Sequence, residues 1–185
     1  MTFDAFSQNL LIGSKNNHEA SMFIHPLAIL QCLFLISVAN SAPLFLKRLL
    51  GERLAYPIDG GLVLHDGHPI LGRSKTWRGL ISGILFAAFA GVLIDLPWQA
   101  GVLVGTCAML GDCTSSFIKR RLGLESSSMA MGLDQVPESL LPAIAFSVYL
   151  PLDLMDFGII VIVFLVGELL LSRLFFTMGL RDRPY

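Results

Sequence analysis

Charge is the first shortage in this chain. Aspartate, glutamate, lysine and arginine make up 15% of its 185 residues, against about 25% in ordinary soluble domains. The composition is instead 54% hydrophobic, with a mean hydropathy of +0.69. That excludes a conventional soluble fold, because much of the surface must face lipid. Cysteine is scarce as well. Cys32, Cys107 and Cys113 lie inside apolar runs without ligand spacing, so they read as packing residues, not as a disulfide frame or a thiolate metal site. The formal net charge of −1 says nothing useful about partners, and its distribution says more; no nucleic-acid partner is expected. Residues 1–22 lack a positively charged n-region and do not look like a cleaved signal peptide. No internal repeat is visible.

What is present is a set of long apolar runs. A chain of 185 residues has room for about five spans of roughly 20 residues each. The runs place them at 26–45, 79–96, 100–118, 137–154 and 157–178, within one membrane domain over 23–180. The fourth is interrupted by Pro142 and Pro151. A polar tail, 1–22, precedes the domain, and 181–185 form a short C-terminal tail. The cations orient this array. Lys47, Arg48, Arg53, Arg73, Lys75 and Arg78 lie in one loop, Lys119, Arg120 and Arg121 follow the third span, and Arg173, Arg181 and Arg183 belong to the C-terminal end. Only Lys15 falls on the other side. By the positive-inside rule, the expected fold is an all-α polytopic membrane protein of about five transmembrane helices. Its N-terminus would lie outside and its C-terminus in the cytoplasm.

The 46–78 loop carries turn signals at Pro57, Asp59, Gly60 and Gly61, and again at Asp66–Gly67. Its stretch GHPILGRSKT approaches a P-loop, but Arg73 and Ser74 intervene before Lys75 and no buried strand precedes it. Ser74 and Thr76 suit helix N-caps, and Gly72 would let backbone approach a ligand closely. A helix start flanked by Arg73, Lys75 and Arg78 would seat a phosphate. The same cations could equally serve orientation and contact with anionic headgroups; the loop alone leaves both open.

A carboxylate in the third run asks for more than orientation, since charge in hydrocarbon costs several kcal/mol. On a helix, Asp112, Ser115, Ser116 and Lys119 share one face by their i, i+3, i+4 and i+7 spacing. A plain ion pair of Asp112 with Lys119 or an arginine would explain the charge but not the serines. Asp134 and Glu138 follow four residues apart, with Pro137 suited to the first turn of a helix. Asp59 and Asp66 add two more carboxylates on the same side. Such a group beside a basic, glycine-containing loop suits Mg²⁺ held together with a polyphosphate, although Glu138 could also serve the helix dipole.

These blocks carry a family resemblance. DGG at 59–61, DGHPILGRSKTWRG at 66–79, GDCTSSFIKRRLG at 111–123 and LDQVPESL at 133–140 resemble the CDP-archaeol synthase (CarS-like) family. That family consists of integral-membrane cytidylyltransferases similar to the phosphatidate cytidylyltransferases. The likeness runs over roughly 24–180 and includes the Asn-x-x-Pro at Asn40 and Pro43. The resemblance implies CTP and a lipid phosphate as substrates, with a CDP-lipid and pyrophosphate as products, in phospholipid biosynthesis at the cell membrane. It implies catalytic roles for Asp112, Lys119 and Asp134, with Mg²⁺ on Asp112, Asp134 and Glu138. Asp59, Gly72, Lys75, Thr76, Arg78, Ser115, Ser116 and Arg120 would contact nucleotide or phosphate. The glycine-histidine-glycine-glycine that precedes the later aspartate in phosphatidate cytidylyltransferases is replaced here by MAMGLDQ, which favours the archaeol-type branch.

A transporter is the competing class, with Asn40, Asp112 and Glu168 lining a polar path. Glu168 could also pair with Arg173. The outer ends of the spans are nearly free of charge, which a transporter path would not predict. Gly83, Gly91 and Gly101 allow close helix packing, within one bundle or between two copies, so a homodimer stays open.

Overall fold

The computed structural model describes residues 24–124, 130 and 132–177. The tails expected at 1–22 and 181–185 lie outside the described residues. Among the described residues five helices run in order: α1 Pro26–Leu50, α2 Trp77–Leu93, α3 Trp98–Arg121, α4 Gln135–Phe146 and α5 Leu154–Thr177. There is no strand among the described residues; the 51–76 loop contributes only the isolated bridges Pro57–Thr76 and Val63–Pro69. The fold is all-α, as expected.

Local chemistry sets the helix ends. Pro26 sits in the first turn of α1, where its missing N–H costs nothing. Gly51 ends that helix at φ 57° and donates its N–H to the Lys47 carbonyl, a left-handed turn that suits glycine. Thr76 caps α2, its Oγ1 accepting from Gly79 N–H at 3.2 Å. Small residues bring α2 and α3 together. A methyl group on Gly101 would run into the backbone of Ala87 and Ala88, and one on Gly105 would lie 2.9 Å from the Ala87 Cβ. Around this seam the core is built from Cys32, Leu35, Ile36, Val104, Phe146 and Ile160.

Three helical stretches are long and apolar enough to cross a membrane: Pro26–Leu50, Trp98–Arg121 and Leu154–Arg173. At 17 residues, α2 reaches about 26 Å, near the lower limit for a span. The fourth helix departs from expectation. It holds 12 residues, about 18 Å, instead of 137–154. Its C-terminal end breaks into a turn at Phe146, whose carbonyl accepts from Tyr149 and Leu150 N–H, just before Pro151.

Its start explains why it is short. A methyl group at Gly111 would collide with the Pro137 carbonyl and lie 2.9 Å from the Glu138 Cα. The first turn of α4 therefore packs on Gly111, ten residues or about 15 Å before the end of α3. The chain has already descended into the bundle before α4 begins.

The opposite end of the bundle is tied by a buried aspartate. Asp156, in the first turn of α5, accepts from the His25 backbone N–H at 3.2 Å and from Asp153 N–H at 2.9 Å. Its second oxygen also lies 2.8 Å from His25 Nδ1. One carboxylate thus joins the start of α1 to the start of α5.

Candidate active site

Lys75, immediately before the Thr76 cap, reaches across to α3. Its Nζ lies 2.5 Å from Asp112 Oδ1, with the two side chains 18% and 26% exposed. Asp112 also shares a side-chain hydrogen bond with Glu138 from the first turn of α4. Glu138 is buried, and Glu168 of α5 stands within electrostatic reach of it. Four elements, the loop and α3, α4 and α5, thereby bring three carboxylates and one ammonium to one place. The two helices that begin there, α2 and α4, turn the positive ends of their dipoles toward the cluster.

A second ion pair lies farther along α3. Lys119 Nζ is 2.7 Å from Asp134 Oδ1, with both side chains nearly buried, and Asp134 Oδ2 accepts from Ala130 N–H at 3.2 Å. The sequence left Asp112 free to pair with Lys119; the structure gives Asp112 to Lys75 and Lys119 to Asp134. Asp112 and Asp134 thus sit in separate pairs, while Glu138 meets Asp112 directly. On the shared face of α3, Ser115, Ser116 and Arg120 are also buried. Ser115 Oγ donates to the Asp112 carbonyl at 3.0 Å, a bond within its own helix.

The loop residues divide by what they touch. Asp59 accepts backbone N–H bonds from Gly61, Leu71 and Gly72 at 3.0, 2.8 and 3.0 Å. Burial pushes its carboxyl up, but the amides of Gly72, Leu71 and Gly61 outweigh that and hold it below the usual carboxylate range. Asp59 therefore folds the loop and sets Gly72, at φ 93°, three residues ahead of the Lys75 backbone. Arg78 donates to the carbonyls of Gly51 and Arg53 at 2.9 and 2.5 Å, bracing the end of α1. Thr76 is engaged as a cap. Asp66 pairs with Arg121 at 2.7 Å, and Arg121 also donates to the carbonyls of His68 and Pro69; this fastens the loop tip to the end of α3.

Two further polar side chains hold buried polar atoms in the bundle, Gln135 unmarked by the sequence and Asn40 marked by it. Gln135 is fully buried, its Oε1 accepting from Gly132 N–H at 2.7 Å. Asn40, one turn before the Pro43 that packs on Gly79, holds a buried Nδ2. The Asn-x-x-Pro block signalled Asn40; nothing in periodicity marks Gln135. The buried Asp156 was missed as well, because its partner His25 lies 131 residues away.

The donor set suits a hard divalent cation. Asp112 and Glu138 present carboxylate oxygens to each other, and an ammonium already stands against Asp112 as a cation would. Oxygen ligands from one or two carboxylates, with phosphates and waters completing the shell, are what Mg²⁺ takes.

Known proteins resemble this chain over most of its length. The family model described as CarS-like, CDP-archaeol synthase, matches residues 27–99 and 97–185. A CDP-archaeol synthase of Hyperthermus butylicus is 39% identical over 122 residues, covering 63% of this chain and 70% of the relative. That of Thermococcus kodakarensis is 32% identical over 161 residues, covering 80% and 89%. A solved structure, described as an intramembrane enzyme for archaeal membrane lipids biosynthesis, superposes with a TM-score of 0.65. It is 29% identical, covering 77% of this chain and 90% of the other. With most of its length matched, from the first span through the Asp112 and Asp134 blocks, the chain belongs to the CDP-archaeol synthase (CarS-like) family of multi-pass membrane enzymes.

Proposed function

We propose that the chain transfers CMP from CTP to a membrane lipid phosphate, giving a CDP-lipid and pyrophosphate, at the Lys75–Asp112–Glu138 cluster. The family supports the reaction, and the relatives' name points to a glycerol-phosphate lipid carrying ether-linked isoprenoid chains. The transporter reading is not favoured, because Glu168 stands with the acidic cluster around Glu138 and the relatives are synthases. The observation that carries the assignment is geometric. Two helix starts, an ammonium and two facing carboxylates meet about 14 Å below the end of α3.

The reaction needs positioning more than proton transfer. An ionised lipid-phosphate oxygen attacks the α-phosphorus of CTP. The bond to the bridging oxygen of the β-phosphate breaks, and that oxygen leaves on pyrophosphate. The nucleophile is already an anion, so no general base is required, and rate comes from alignment and charge neutralisation. Asp112 and Glu138 would hold Mg²⁺, which supplies charge neutralisation at the phosphates when bound. Lys75 and the N–H groups at the start of α2 would bind phosphate oxygens. Asp134 orients Lys119, which with Arg120 would face the second phosphate; this assigns Asp134 to positioning and leaves the metal to the Asp112–Glu138 pair. Asp59, Gly72, Thr76 and Arg78 shape the loop that presents Lys75. The distribution of cations along the chain supports a cell-membrane protein with this end facing the cytoplasm, where CTP is available.

The test uses purified protein in lipid nanodiscs with CTP, Mg²⁺ and a panel of lipid phosphates, following CDP-lipid and pyrophosphate. Equal release of both products is expected, with an ether isoprenoid substrate preferred. Asp112→Asn should lower turnover by about 10²–10³-fold, the loss of several kcal/mol of transition-state stabilisation. Its thermal stability should stay close to the parent, because Glu138 remains beside Lys75. Full turnover in Asp112→Asn would remove the cluster from the chemistry.

A further inference from the structure

The Lys75 ammonium stands against the same carboxylate that the metal needs. We propose that Lys75 is an exchangeable placeholder: it occupies the cation seat on Asp112 in the empty enzyme and leaves it for the nucleotide phosphates when metal and CTP arrive together. The inference rests on Asp112 and Glu138 being the metal seat.

Three observations carry it. First, the side-chain carboxyl groups of Asp112 and Glu138 meet, with little solvent around Glu138. Facing carboxylates repel unless a proton or a cation lies with them. Lys75 is the cation present, 2.5 Å from Asp112 and electrostatically coupled to Glu138 as well. Second, the Lys75 backbone is held by the loop, while its side chain is held at its tip by the Asp112 ion pair. Its N–H donates to the Gly72 carbonyl at 3.1 Å, and its carbonyl accepts from Ile58 N–H at 2.9 Å. Thr76, the next residue, caps α2. Motion is thereby confined to a flexible four-carbon stem ending in a compact charge, which can swing without disturbing the loop. Third, the start of α2, capped by the very next residue, Thr76, attracts anions. A phosphate bound there would draw Lys75 off Asp112 and open one side of the carboxylate.

The consequence is ordered chemistry. Metal without nucleotide competes with the tethered ammonium and binds weakly. Nucleotide relocates the ammonium, so metal and CTP raise each other's affinity. The arrangement also keeps the acidic pair neutralised between turnovers.

Mn²⁺ binding to the intact protein in nanodiscs, read by electron paramagnetic resonance, tests this. Without CTP, Lys75→Met should bind Mn²⁺ at least about 10-fold tighter than the parent, the size of one charge-assisted contact. The enhancement of Mn²⁺ binding by CTP should shrink in the same variant. Lys119→Met removes a cation of the neighbouring pair and should leave Mn²⁺ affinity nearly unchanged; an equal gain there would show a general charge effect and overturn exchange. Unchanged or weaker binding in Lys75→Met would also overturn it. Asp112→Asn locates the seat. If it binds Mn²⁺ like the parent, the metal reading itself fails, and placeholder exchange fails with it.

A readout on the unmodified chain covers misfolding of the variants. Reductive methylation of Lys75, followed by peptide mass spectrometry, should be slow in the empty protein, faster with Mg²⁺ alone and slow again with Mg²⁺ and CTP. Protection unchanged or deepened by Mg²⁺ alone would refute the displacement.

Discussion

Gly111→Ala is the sharpest test of how the fold makes the site. One methyl group added to α3 would meet backbone only: the Pro137 carbonyl, and the Glu138 Cα at 2.9 Å. Backbone cannot rotate away as a side-chain tip can, so the first turn of α4 must move by several tenths of an ångström or more. Overpacking of this kind costs about 1–3 kcal/mol. The displaced residue is Glu138, hydrogen-bonded to Asp112 in the parent, and misplacement by about 1 Å in a catalytic array can cost roughly 10²-fold in rate. Gly101→Ala is the matched control. Its methyl group would meet the backbone of Ala87 and Ala88 just as closely, but three residues into α3 at the opposite end. Both variants should melt earlier by similar amounts in nanodiscs, followed by tryptophan fluorescence. Turnover per folded molecule should fall about 10²-fold in Gly111→Ala alone, with CDP-lipid formation as the assay. Equal turnover in the two variants would refute the claim that the α3–α4 contact sets the Asp112–Glu138 geometry.

Asp156→Ala should destabilise the bundle without changing the KM for CTP, because it removes the acceptor of the His25 and Asp153 N–H groups at the far end; at about 0.5–1.5 kcal/mol for each hydrogen bond lost, a melting temperature equal to the parent's would contradict the tie. Asp59 predicts an acid-sensitive loop. Its carboxyl is held below its unfolded value, so its contribution is full above about pH 4 and is lost as pH falls through the lowered folded value. Pepsin cleavage within 58–72 should therefore rise as pH drops from about 4 toward 2, and Asp59→Asn should be cleaved readily at both ends of that range. Acid-independent cleavage of the parent would show that the amide cradle does not hold the loop.

Helix number and type were legible because apolar runs of span length have few alternatives in lipid. Helix ends were less so. The apolar run ends the first span at 45, yet α1 continues to Leu50, because Lys47 and Arg48 suit the last turn of a helix. The fourth helix was read too long, since a run of apolar residues does not show where the chain enters the bundle; that depth follows from Gly111, a contact between residues 26 or more apart. The site residues on α3 were legible from their 3.6-residue spacing. Their partners were not: Lys75 with Asp112 and Lys119 with Asp134 are choices among nearby opposite charges, decided by which helix begins at which depth. Asp59 and Arg78 show the same limit. Their residue types suit phosphate or metal binding, but the structure gives them backbone amides and carbonyls.

That pairing pattern bears on how the enzyme handles charge. Lys75 matches Asp112 and Lys119 matches Asp134, so these two ammoniums do not face an incoming triphosphate unopposed. A nucleotide carrying several negative charges meets a locally balanced array plus two helix starts, each equivalent to roughly half a positive charge. Affinity then depends on rearranging the pairs, either by a divalent cation taking Asp112 and Glu138 or by phosphates drawing the lysines away. Such a site is stable in the empty protein, where an uncompensated cation cluster this deep would be costly. It releases its positive charge only when a ligand supplies the replacement. The balance that keeps the bundle folded without substrate is the same balance that ties nucleotide binding to metal.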